Sequence, residues 1–184
     1  MKNSKWILEL RIRLGRWLVN RIPISIPQSK VFEFYRAKQW GILVDIPDEI
    51  AYDSVIKFGK QLRAEGKKVM IFGYLGKESL SFTPMKTVDF DFITQDELSF
   101  TFLPQTRETR EFESRKFDLL VIFNESGSVP VEAIARISNA QLKVCTGTHQ
   151  HEYCQLYIQL KAKAAIQESL NHLIHYLKMM DQTP

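Results

Sequence analysis

The sequence predicts a three-layer, Rossmann-like α/β domain with a mainly parallel sheet, preceded by an N-terminal amphipathic helix. Three observations predict it. Short unbroken apolar runs alternate with stretches of helical periodicity, the pattern of buried parallel strands covered by helices. The joints are short and carry helix-start and helix-stop residues. The charge is split along the chain: residues 1–38 hold nine basic and two acidic side chains, net +7, while the remainder holds 16 basic and 19 acidic, net −3. A basic arm of that kind attracts polyanions, whereas the body has no charge reason to do so.

Residues 3–21 read as a helix. Ile7, Leu10, Leu14, Trp17 and Leu18 recur on one face, with Glu9, Arg13, Arg16 and Asn20 on the other. Pro23 and Pro27 break the pattern, so 22–30 reads as a connector. The apolar run 41–45 is a strand; Pro47 and Asp48 start a helix with Ala51, Val55, Phe58 and Leu62 on one face; Gly66 stops it; and 69–72 is a second strand. This is a βαβ unit with a right-handed crossover. Residues 88–93 alternate as a third strand would, and 105–116 read as a solvated helix or loop. A strand at 117–123, a helix at 129–138, strands at 142–145 and 153–160, and a helix at 164–180 complete the order. The last helix carries Ile166, Leu170, Leu173, Ile174, Leu177 and Met180 as its stripe.

The 184 residues, 45% of them hydrophobic, suffice for one core. Residues 1–30 are therefore read as helix and connector, and 31–184 as a single domain. No apolar run approaches the 18 residues of a membrane span. Glu9, Arg11, Arg13 and Arg16 interrupt what would have to be the apolar core of a secretory signal. The two cysteines form no disulfide framework, and a reducing compartment, the cytoplasm, is expected, with a position peripheral to a membrane or ribosome open.

Ligands of open parallel sheets bind beyond the C-terminal strand ends, at the switch point. Asp45 after the first strand and Asn124, Glu125 and Ser126 after the fourth are the polar residues there. Asp45 and Glu125 are the candidate acid and base; the same residue types also serve as plain turn and cap residues. The first strand exit lacks the glycines of a dinucleotide turn, and residues 73–78 lack P-loop spacing. Cys145, His149, His151 and Cys154 place four zinc-type donors within ten residues. Their spacing, Cys-x3-His-x-His-x2-Cys, is not that of a standard finger, and buried cysteines also act as small hydrophobes. Zinc is the one cofactor with candidate ligands. His172 and His175, three apart on the last helix, are read as exposed and unpaired rather than as a ligand pair.

In the N-terminal helix, Lys5, Trp6, Arg11, Arg13, Arg16 and Trp17 are the candidate partner-binding residues. Three uses compete: packing on the body, a second copy or a protein partner; lying on an anionic membrane; or contact with RNA or a ribosomal surface.

Taken in order, the segments 41–45, 66–69, 90–93, 117–120, 137–144 and 175–179 resemble a bacterial family of domains of unknown function whose members tend to begin with a basic helical arm. More distantly, 117–121 and 140–144 are similar to the N-terminal half of heptosyltransferase-like glycosyltransferases, with Cys145 where relatives commonly have Gly and Asn124 where they often have an acid. These likenesses imply a Rossmann-like fold and no site residue. The expected function is a non-enzymatic binding or assembly module whose basic helix is the attachment element. The alternative is a small or degenerate glycosyltransferase-like or nucleotide-binding enzyme half that needs a partner.

Overall fold

The computed structural model describes residues 2–25, 36–76, 82, 84–147, 151–159 and 166–180. The elements, in chain order, are α1 (Lys2–Val19), β1 (Gln39–Ile46), α2 (Glu49–Ala64), β2 (Lys68–Leu75), β3 (Phe90–Thr94), α3 (Arg107–Ser114), β4 (Lys116–Phe123), α4 (Val129–Ile137), β5 (Asn139–Gly147), β6 (Leu156–Gln159) and α5 (Ile166–Met180). The sheet order is β3-β2-β1-β4-β5-β6, and all five pairings are parallel. The chain enters at β1, winds outward to β3, then returns to the other side of β1. The switch point therefore lies between β1 and β4.

Local chemistry sets the boundaries. The Asp48 side chain accepts the Ala51 amide at 2.8 Å and caps α2. Gly66, at φ +81°, takes the left-handed conformation past its end. Thr106 caps α3 through Thr109, and Pro130 sits in the first turn of α4.

The central strands are buried on both faces. On one side Ile42, Val44, Val121 and Val144 meet Val55, Phe58 and Leu62 of α2 and Leu170 and Leu173 of α5. On the other, Leu43, Leu120, Ile122 and Cys145 meet Phe112 of α3, Ile134 of α4 and Tyr153. A third cluster joins Val19 of α1 to Phe102, Val129 and Ala133. The predicted three-layer architecture is thus present, with α1 laid over α4.

The expected strand over 153–160 is shorter than its alternation suggests. β6 begins at Leu156, because Tyr153 turns its ring into the α4-side core, where it is 1% exposed. Cys154 is consequently not a strand residue. Its chain doubles back until its Cα is 5.9 Å from that of Cys145, and the two are joined as a disulfide. This differs from the reading of two separate reduced cysteines.

Candidate functional site

The switch point is built from the ends of β1 and β4. Asp45 stands one residue before the end of β1, and the turn 124–128 follows β4. Asn124 is buried and holds this turn closed: its Oδ1 accepts the Ser128 amide at 2.7 Å, and its Nδ2 donates to the Ser128 carbonyl at 3.3 Å. Gly127, at φ +65°, supplies the left-handed step. The closed turn aims Ser126 back across the switch point, where its hydroxyl donates to Asp45 Oδ2. Glu125 leans the other way, with its Cγ 3.7 Å from where a Gly147 Cβ would stand, at the end of β5. The structure therefore pairs Asp45 with Ser126 rather than with Glu125.

Burial pushes the Asp45 carboxyl above its usual range, and the Ser126 hydrogen bond opposes the shift. Tyr74, at the end of β2, is pushed up to about 12 by burial and by the nearby Asp45 charge. Desolvation also raises Glu125. Beside this group lies a cavity of about 290 Å³ walled by Tyr74, Gln95, Ser126 and Ser128 from the body and by Leu8, Ile12 and Arg16 from α1. A larger hollow, about 480 Å³, lies at the N-terminal strand ends around Trp40, Arg63, Lys67 and Arg115. That is the end of the sheet away from the switch point.

α1 docks by a face that its apolar stripe does not mark. Val19 is fully buried, Gly15 is buried and Ile12 is half-buried. Gly15 brings the helix backbone against the turn 99–103, where a Cβ would collide with the Thr101 carbonyl oxygen. That turn is shaped as a receptor. Phe102 adopts φ +61°, a left-handed conformation that costs a bulky residue about 1–3 kcal/mol. In return its ring is buried beneath α1 with the Arg11 guanidinium 4.6 Å over it, and Arg11 Nε donates to the Phe100 carbonyl at 2.7 Å.

Two buried cations fasten the chain that follows. Arg136 of α4 donates to Asn20 Oδ1 at 3.3 Å and to the Ile22 carbonyl at 3.4 Å, and it pairs with Glu132 and Glu152. Lys143 of β5, wholly buried, gives its Nζ to the carbonyls of Ser25 and Ala135 at 2.8 Å and of Arg136 at 3.3 Å. Burial draws its ammonium down to about 8.

The predicted stripe points outward. Trp6 is 66% and Trp17 51% exposed, and Ile7, Leu10 and Leu14 are exposed beside them; Leu18 is half-buried. Arg13 and Arg16 are also exposed. The side chain of Lys5 lies outside the described residues.

Cys145 and Cys154 are bonded to each other, His151 stacks on Tyr153, and His149 lies outside the described residues. Among the described residues no three His, Cys, Asp or Glu side chains are placed to hold a metal. His172 is exposed but not unpaired, with Glu168 at 3.8 Å, and His175 meets the Tyr176 ring edge-on.

Sequence reasoning missed Gly15, Arg136 and Lys143. Gly15 had one signal, a glycine amid a helical run. Lys143 had another, since it shares strand parity with buried Cys145.

Compared with known proteins, residues 16–180 match the model of a family of unknown function (DUF6913). None of the curated proteins and none of the solved structures matches the chain.

Proposed function

The chain belongs to this family of unknown function, and from its own residues we propose that it is a binding module: a Rossmann-like body that attaches to a partner through the outward face of α1. One observation carries this. α1 is fixed to the body by Ile12, Gly15 and Val19, and this leaves Trp6, Ile7, Leu10, Leu14 and Trp17 in solvent. Side chains of this size grouped on one helix mark an interaction surface. The test is capture by immobilised full-length protein of ribosomes, RNA, membranes and soluble proteins, compared with a Leu10→Ser/Leu14→Ser variant. The variant is expected to lose the captured partner; equal capture by both proteins refutes the reading. Deleting the arm is a poorer test, because it also removes Val19 from the core and Ser25 from Lys143.

A second reading places small-ligand chemistry at the switch point, favoured by the contact of Ser126 with Asp45 beside the 290 Å³ cavity. It predicts a rise in melting temperature with a member of a nucleotide and sugar-nucleotide panel, abolished by Asp45→Ala. A flat response across the panel counts against it.

A further inference from the structure

The rim of the outward α1 face narrows the choice of partner. At about 100° per residue, Trp6, Ile7, Leu10, Leu14 and Trp17 fall within an arc of about 100°, roughly opposite the docking arc. Arg13 borders the stripe on one side and Arg11 on the other. Arg21 stacks on Trp17, 3.7 Å from the ring centroid. Phe100, 60% exposed, carries apolar surface past Arg11, whose guanidinium lies 4.9 Å over its ring. Glu9, the one acid of α1, sits on the polar flank with Arg16.

This rim has cations and no carboxylate. A second copy is a poor match, because pairing two such helices sets arginines against arginines. RNA is a poor match for this face, because its phosphates would meet tryptophan and leucine before arginine. An apolar stripe with tryptophan at its edge and arginine beside it is suited to the headgroup layer of an anionic bilayer. No described helix is long and apolar enough to cross a membrane, so the mode open to α1 is to lie flat.

We infer that the outward face of α1, extended by Phe100, rests on a membrane surface containing anionic phospholipid. Arg11, Arg13 and Arg21 meet the phosphates, Trp6 and Trp17 sit at headgroup depth, and Leu10 and Leu14 reach the acyl boundary. This inference rests on the reading of α1 as the attachment element and names its partner.

The test is sedimentation of the full-length protein with vesicles of phosphatidylcholine alone and of phosphatidylcholine mixed with phosphatidylglycerol, at low and high salt. Binding to the mixed vesicles is expected, at least about tenfold weaker on phosphatidylcholine alone and weakened by salt. Tryptophan emission should shift to the blue through Trp6 and Trp17, since Trp40 is already buried. Leu10→Glu/Leu14→Glu should weaken binding about tenfold or more, and both positions lie off the docking face. Absence of binding to the mixed vesicles, or equal binding by the variant, overturns the inference. Light scattering separates that failure from failure of the attachment reading. A dimer that the variant converts to a monomer, without vesicle binding, sinks the lipid inference and leaves attachment standing with a second copy as partner. A monomer that binds no vesicles, and whose variant captures every partner class equally, sinks both.

Discussion

Both faces of the sheet are closed by apolar packing, and the α4 side adds two buried cations. On the α2/α5 side, Val55, Phe58, Leu62, Leu170 and Leu173 seal the strands with apolar packing. On the α4 side, Arg136 and Lys143 are buried, and both reach residues from the N-terminal segment. Apolar packing has no direction and tolerates substitutions that conserve volume. A buried cation needs particular acceptors at particular positions. The apolar clusters of both faces supply cohesion. The cations of the α4 side specify where residues 20–25, and so α1, sit on the body.

Changes on either side should expose the contrast. Leu62→Ala is expected to cost the most, about 2–5 kcal/mol in urea unfolding, through lost burial and a residual cavity. It should leave amide exchange in residues 16–25 no faster than in the rest of the chain. Arg136→Ala is expected to cost about 1–3 kcal/mol, since Glu152 can turn to water. It should also selectively speed exchange in residues 16–25. Equal exchange profiles for the two variants would erase the distinction between the faces.

Titration probes the α4 side next. Lys143 has a folded pKa of about 8, below its ordinary 10.5. Between those values the unfolded chain holds the proton that the folded chain has released, so this group makes stability rise with pH across that window. Lys143→Met should abolish the rise in urea melts. Glu113, on α3, is pushed up to about 7 by burial, against the opposing charge of Arg110. There the folded chain holds the extra proton, so stability falls as pH climbs from 4.5 to about 7. Glu113→Gln should therefore stabilise the protein above pH 7 and lose that advantage below the ordinary glutamate value. The smallest effect is expected at Leu10→Ser/Leu14→Ser, within about 0.5 kcal/mol of the parent in the same melts. A larger loss would mean that the stripe is part of the fold.

Most of the fold was legible because strands buried on both faces leave unbroken apolar runs. Residues 41–45, 69–72 and 117–123 fall within β1, β2 and β4, and the helices that follow β1 and β4 start after the Asp48 cap and near Pro130 as their chemistry requires. The connection to β6 was not legible. Cys154 alternates correctly with Leu156 and Ile158, and only the burial of Tyr153 withdraws it from the strand. The switch-point residues were named from topology, but their pairing depends on the Asn124 turn, which alternation cannot reveal. In α1 the stripe was visible and its direction was not. The docking face is defined by a missing side chain at Gly15, and hydrophobic periodicity counts only the side chains present.

Gly15 has a consequence for how the molecule would bind. Many amphipathic helices are unstructured until they meet a surface, and they surrender chain entropy on arrival. Here the backbone of α1 is already set against the turn 99–103, with Val19 anchored in the core. Its ordering is complete at folding, so contact through Trp6 to Trp17 would carry little further loss of disorder. The rigid seat also removes the freedom of a tether: whatever α1 lies against would find the body at one fixed tilt.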